Sequence, residues 1–447
     1  MNNNRRRFLA ALGAAPLIMH PLARALADDM PASLRGTKPV WIPANAPLSR
    51  VPTNLPIQGR VVVIGGGMAG ATVAKYLRLW GGSGLQVILV ERERTYVSSI
   101  MSNLVLSDAL TIESLTFNWK RLMDRYGVKL VAGEVTAIDP AGKRVMLNGS
   151  SIPYDRLVVA PGIEFDPVAG LETAAAQDRV PHAWKAGAQT TILRKQIAAM
   201  PGGGVFLMSV PKAPYRCPPG PYERACIVAD HLKRAKPRSK VIVLDENPAI
   251  TVEKELFTHA FNVVHAGVID YRPGVGVQSV DAAAGTVKTS SGEMIKANVL
   301  NVIPNQRAGA ILKEAGLTNS TDGRWSTVNE LTYESTAAEG IHVLGDSAAT
   351  MQPKAGHIAN QEAKVCADVI VRGFLGLAPD PAPVTNSACY SPITAKTASW
   401  LTALYAYDPA SKRMKPIAGG MGEGPASARN MEEMRQWFSN LMTDSYA

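Results

Sequence analysis

The chain alternates short, wholly apolar runs with longer stretches in which apolar residues recur every three or four positions. Arg60-Val61-Val62-Val63-Ile64 reads as a strand buried on both faces and Ala71 to Trp80 as a helix, with Gln86 to Val90 as a second buried strand that ends at Glu91. Strands without polar alternation belong in a parallel sheet covered by helices. The unit recurs, with a strand from Gly203 to Val210, a helix from Glu223 to Arg234, and a strand from Lys240 to Leu244 ending at Asp245. Further on, Gly340 to Leu344 predicts a strand and a helix runs to about Arg372. The last helix, Asn430 to Met442, aligns Met431, Met434, Phe438 and Leu441. Glu432 and Glu433 suit it poorly to anionic lipid, so packing on the body is expected.

The turns inside these units differ in chemistry. In Gly65-Gly66-Gly67-Met68-Ala69-Gly70, Gly65 permits a tight turn, Gly67 lets the backbone approach a pyrophosphate, and Gly70 lets helix and strand pack closely. The N–H groups of the helix then face the phosphates. Glu91, 21 residues after Gly70, stands where an adenosine ribose would be bound. Met68, Ala69, Arg92 and Val135 are expected as further nucleotide contacts. The second turn instead reads Pro211-Lys212-Ala213-Pro214-Tyr215-Arg216-Cys217-Pro218-Pro219-Gly220-Pro221. It is too bulky and too poor in N–H groups to cradle a pyrophosphate, so no NAD site is expected, and Cys217 becomes a thiol on a rigid, irregular loop. After the third strand, Gly345-Asp346 is followed by Pro353-Lys354-Ala355-Gly356-His357 and a helix. FAD enzymes built on two dinucleotide-binding domains look like this. In them the aspartate binds the ribityl chain and the helix N-terminus faces the pyrimidine end of the flavin. FAD is therefore the expected cofactor, with Gly345, Asp346, Lys354 and Gly356 at its second half.

Composition changes the picture little. The 447 residues, 46% hydrophobic and 19% charged, are ordinary for two or three globular domains. The N-terminus is more informative: Arg5-Arg6-Arg7-Phe8-Leu9, an apolar run through Ile18, then Ala25-Leu26-Ala27. This reads as a twin-arginine export signal cleaved near Ala27, which implies a periplasmic protein. The run is about half the ~20 residues of a membrane span. The leader holds Arg5, Arg6, Arg7 and Arg24 and no acid, so the net charge falls from +10 to +6 without it. No basic tract is interleaved with aromatics, and nucleic acid is not an expected partner. The organisation expected is a leader over 1–27, a proline-rich arm over 28–58, a discontinuous FAD-binding domain over 59–165 and 297–376, a second Rossmann-like domain over 166–296, and a smaller C-terminal α+β domain over 377–447.

Of the four cysteines, Cys226 and Cys366 fall in apolar helical stretches, as buried thiols do. Cys217 and Cys389 read as loop thiols, for which a structural disulfide is the plain alternative in an exported protein. Cys217-Pro218-Pro219-Gly220-Pro221-Tyr222-Glu223, Gly345-Asp346 with Pro353-Lys354, and Cys389-Tyr390-Ser391 make the chain resemble the flavoprotein subunit of flavocytochrome c sulfide dehydrogenases, relatives of sulfide:quinone oxidoreductases. The resemblance runs over nearly all of the chain from Arg60. It implies an α/β fold of the FAD disulfide-reductase type and a redox-active disulfide between Cys217 and Cys389, with Glu223 near it. It also implies oxidation of sulfide to sulfur or polysulfide, with a c-type cytochrome as electron acceptor. The chain has no Cys-x-x-Cys-His, so a haem belongs to a partner subunit or a soluble cytochrome c. Family members can attach FAD through a cysteine where Ser99 stands, and no cysteine precedes Cys217, so non-covalent FAD is expected. No metal site is expected. Two other readings stay open at this point: a sulfide:quinone oxidoreductase, and a non-catalytic flavoprotein partner with a structural disulfide.

Overall fold

The computed structural model describes residues 51–421 and 426–447. The export signal and most of the proline-rich arm lie outside the described residues. The described end of the arm, 51–58, has no regular structure, but Ile57 is fully buried and Pro52 O accepts a hydrogen bond from Ser83 N.

Strand Gly59–Ile64 lies at the heart of an eight-stranded sheet. It pairs in parallel with Leu85–Glu91 on one side and Arg156–Val159 on the other, with Val62 opposite Ile88 and Leu157. Lys129–Ala132 extends one side, and Ile341–Val343 joins beyond Arg156–Val159, also in parallel. Val61, Val62 and Val63 are fully buried, the consequence of their unbroken apolar run. Helix Met68–Gly81 starts earlier than its apolar periodicity shows, because Gly67 already serves as its N-cap. It packs on the long helix Gly356–Phe374.

The second sheet is wholly parallel, in the order Ile269–Pro273, Lys240–Asp245, Val205–Val210, Val299–Asn301. Leu207, Leu244 and Leu300 form its core with Val280 and Val287 of a small antiparallel flap. The pairing of Val299 with Phe206 corrects the boundary expected at 297. The chain returns to the first sheet only after this strand. A short apolar run such as Val299-Leu300-Asn301-Val302 fits either sheet, and periodicity carries no information about the choice. The two crossing segments, Ile163–Phe165 and Gln306–Ala308, pair antiparallel with each other.

The C-terminal region is an antiparallel sheet of Val384–Pro392, Ala398–Asp408 and Arg413–Met421 with helix Ala428–Tyr446. Here the expectation for Cys389 needs correction. It sits within strand Val384–Pro392, opposite Leu401, rather than on a loop. The run Thr385-Asn386-Ser387-Ala388 has weak strand propensity, and only pairing with Ala398–Asp408 makes it extended. Met431, Met434, Phe438 and Leu441 are buried, so the last helix does pack on the body. Among the described residues no helix is long and apolar enough to cross a membrane.

Candidate active site

Gly65 follows one parallel strand, Glu91 ends the next, and Ala160-Pro161-Gly162 and Leu344-Gly345-Asp346 follow the other two. All four segments therefore meet at the carboxyl ends of the first sheet, where open α/β sheets bind ligands. They line one cavity of about 750 Å³. Gly65 has φ +91°, and a Cβ there would stand 2.5 Å from Ala160 O. At Gly67 an added Cβ would meet only the Tyr96 ring, 4.0 Å away, so this bare backbone serves an approach from the cavity and not protein packing. Glu91 accepts from Gly66 N (2.6 Å) and Glu93 N (2.8 Å), which fixes its carboxylate on the cavity wall. Met68, Ala69, Arg92 and Val135 also line the cavity.

Gly70 does not line it. Its Cβ would lie 1.7 Å from Gly65 O, so its glycine is required by helix-to-turn contact. Gly345 (φ +68°), Asp346 and Gly356 line the opposite half, and Gly356 opens the 19-residue helix whose positive end faces the cavity. Lys354 requires a correction as well, because it lies outside the cavity wall. Its Nζ donates to Asp346 O and Ala348 O, both at 2.8 Å, and sits 3.8 Å from the Trp325 ring centroid. Burial pulls its pKa down to about 8. Its carbonyl accepts from Cys217 N (2.7 Å), so Lys354 ties the aspartate turn to the cysteine loop. A glycine cradle, a ribose-side carboxylate, and a second aspartate beside a helix N-terminus fit FAD along the whole cavity.

Cys217 and Cys389, from distant segments, line the same cavity, both as free thiols. Burial, then Glu223 and Cys389, push the Cys217 thiol well above its ordinary pKa. Burial and then Glu253 raise Cys389 to about 12. Glu223, in the first turn of helix Gly220–Ala235, is 7% exposed and accepts from Asn103 Nδ2 at 2.9 Å. Burial raises its pKa to about 8, so it is mostly protonated near neutrality. Ser99 is on the cavity wall as well, whereas Cys226 and Cys366 are fully buried in helices and away from it. Among the described residues no group of three or more His, Cys, Asp or Glu side chains is placed to hold a metal.

Several wall residues escaped the sequence reading: Trp184, Lys185, Arg216, Arg224, His357 and Trp437. The two arginines flank the cysteine motif and had that much signal. Trp184 and Trp437 come from segments with no motif at all. In the second unit, Asp245 ends its strand where a nucleotide ribose would be bound, but it is fully buried. Tyr222 Oη (2.9 Å) and Tyr271 Oη (2.8 Å) donate to one oxygen, and Asn247 N (2.9 Å) and Nδ2 (2.8 Å) to the other. Its acceptor sites are occupied from within.

Three family models match the chain: pyridine nucleotide-disulphide oxidoreductase over residues 59–210, the central part of the sulfide dehydrogenase [flavocytochrome c] flavoprotein chain over 190–304, and the flavin-binding part of flavocytochrome c sulphide dehydrogenase over 381–446. A probable ferredoxin reductase, CtmF of Castellaniella defragrans, is 37% identical over 107 residues, 23% of this chain; the match spans only about a quarter (26%) of that protein's length. The sulfide:quinone oxidoreductase of Aquifex aeolicus superposes with a TM-score of 0.67 at 19% identity, covering 86% of this chain and 92% of that one. A NAD-dependent persulfide reductase from A. fulgidus gives 0.59 at 17%, covering 87% and 77%. A ferredoxin reductase of Rhodopseudomonas palustris gives 0.59 at 16%, covering 78% and 87%. At such identities these structures show the fold, an α/β fold of the FAD disulfide-reductase type. The glycine cradle, the two cavity thiols and the matched segments converge: the chain is an FAD-dependent oxidoreductase whose central and C-terminal segments match the models of the flavocytochrome c sulfide dehydrogenase flavoprotein chain.

Proposed function

We propose that the protein oxidises sulfide at a disulfide formed by Cys217 and Cys389 and passes the electrons through FAD to a c-type cytochrome. The observation that carries this reading is the presence of both thiols on the wall of the FAD cavity, brought there by two different parts of the fold. HS⁻ attacks one sulfur of the disulfide. The S–S bond breaks, a persulfide forms on the attacked cysteine, and its partner leaves as a thiolate. Glu223, protonated near neutrality, is placed to exchange a proton with the sulfur pair. When bound, FAD supplies the two-electron acceptor that lets the pair return to its disulfide, so that each HS⁻ loses one proton and two electrons and leaves as zero-valent sulfur. Glu91 and Asp346 hold the cofactor's two ends, and Ser99 leaves it without a thioether. The saturated Asp245 carboxylate and the proline-filled second turn support the absence of a nicotinamide site. The match of the central segment to the flavocytochrome c flavoprotein-chain model and the lack of a haem-attachment motif support a cytochrome acceptor on another chain.

Peptide mapping of the oxidised protein and sulfide assays of Ser variants test this together. A Cys217–Cys389 linked peptide is expected, with flavin released on denaturation and cytochrome c reduced in the presence of sulfide. Cys217→Ser or Cys389→Ser should slow sulfide-driven flavin reduction by on the order of 10⁴-fold, the scale set by loss of a nucleophile. Cys226→Ser and Cys366→Ser should affect stability alone. Full activity in Cys389→Ser, or Cys217 bonded to Cys226, would contradict the reading.

A further inference from the structure

Arg224, next to Glu223 in helix Gly220–Ala235, is 1% exposed yet lines the cavity. Its guanidinium donates to Asn103 Oδ1 (2.8 Å), His182 O (2.9 Å), Asn301 Oδ1 (3.0 Å) and Ala183 O (2.7 Å). Every one of these acceptors is neutral. Among the described residues Arg224 has no ion-pair partner, and the adjacent Glu223 carboxyl turns to Asn103 instead. Burial pulls the guanidinium down to about 9, which still leaves it cationic at neutral pH. A buried cation without an anion is costly, so a fold that keeps one has a use for it.

The surroundings show where that charge is directed. Ala183 adopts φ 46° and Cys217 φ 57°, a left-handed backbone that non-glycine residues hold only when their neighbours enforce it. Ala183 thereby presents its carbonyl to Arg224, while Arg216 donates to the next carbonyl, Trp184 O. The Arg224 guanidinium lies 4.7 Å from the Trp184 ring centroid. On the far edge of that ring, Trp184 Cη2 and Cys217 Sγ both come close to the point a Gly220 Cβ would occupy, at 2.9 and 2.8 Å. Arg224, Trp184 and Cys217 thus form one packed wall, beside which the half-buried Arg216 is a second cation acting on Cys217.

We propose that Arg224 is the standing counter-charge for the anion that forms on Cys217 when the sulfur pair opens, and that it favours small anionic sulfur nucleophiles such as HS⁻ in the cavity. The role rests on the reading of Cys217 as redox-active, and Arg224 plays it through space as a positioning residue. Arg216 and Lys185 face the same wall from the cationic side, His182 is kept neutral there by burial, and Glu223, Cys389 and Glu253 face it from the acidic side. Among them Arg224 combines full burial with neutral partners only.

The test is the pH dependence of iodoacetamide alkylation at Cys217 in the reduced holoprotein, followed on the Cys217 peptide by mass spectrometry. Arg224→Gln should raise the Cys217 midpoint by about one unit or more, roughly tenfold slower alkylation at neutral pH. Arg224→Lys keeps the charge but loses the planar fork, and should stay near the wild-type midpoint. An unchanged profile in Arg224→Gln with flavin bound, or a Lys variant shifted as far as the Gln variant, assigns Arg224 to packing and overturns the proposal. The redox reading fails by a different result, wild-type flavin that sulfide does not bleach, and the alkylation profile still decides the role of Arg224.

Discussion

The two strand-to-helix turns of this protein occupy the same place in the same kind of unit and do opposite things. The turn after Gly59–Ile64 is stripped of side chains, so that backbone N–H groups and the Glu91 carboxylate face a cavity. The turn after Val205–Val210 is filled with proline, and its carboxylate, Asp245, is closed off by Tyr222, Tyr271 and Asn247. What reaches the cavity from the second turn is a thiol, and Lys354 O holds that turn by Cys217 N. A Rossmann-like unit can therefore keep its sheet and helix while one turn presents bare backbone to a cavity and the other a cysteine side chain.

Two glycines sharpen the contrast. Gly70→Ala would place a Cβ 1.7 Å from Gly65 O, and the expected outcome is a loss of about 3 kcal/mol or more with flavin absent from the purified protein, read by thermal melting and absorbance. Gly220→Ala would press on Cys217 Sγ and Trp184 Cη2, at 2.8 and 2.9 Å. It should retain flavin but slow sulfide-driven reduction by roughly 10 to 100-fold through displaced sulfur. Equal flavin loss in both variants would mean that the two turns do not differ in function.

A smaller effect separates the turns by pH. Burial raises the Glu223 carboxyl from its ordinary 4.5 to about 8. The unfolded chain releases this proton near pH 4.5 while the folded chain keeps it to about pH 8, so the contribution to stability falls as pH rises through that window. The stability of the wild type relative to Glu223→Gln should therefore decline by about 1 kcal/mol per pH unit in that range, measured by urea unfolding. The buried His182 and His357, lowered to about 3 and 4, act on both proteins alike and cancel in the difference. A flat difference would place the Glu223 carboxylate, ionised, in contact with water.

The first turn was legible in the sequence because its chemistry is local: a tight turn and a close approach admit only glycine, at positions Gly65, Gly67 and Gly70. Cys217 was legible for the same reason, as prolines on both sides forbid helix and strand. Cys389 lines the same cavity as Cys217 but lies in a strand and not on a loop, since that strand is made by pairing with Ala398–Asp408 and not by its own residues. Lys354 shares a motif with cavity residues, and only coordinates reveal that its ammonium turns back to Asp346 O. Arg224 was read past altogether. Nothing local distinguishes a buried cation from the basic residues of a solvated helix face, and its partners Asn103, His182 and Asn301 converge from three separate segments.

The most direct test of the exchange between the two turns is an anaerobic reductive titration of the purified holoprotein, first with NADH and then with sulfide, followed by flavin absorbance. The account predicts that NADH leaves the flavin oxidised and that sulfide then bleaches it. Rapid bleaching by NADH, with sulfide adding nothing, would show that the second unit still serves a nicotinamide and would contradict the account.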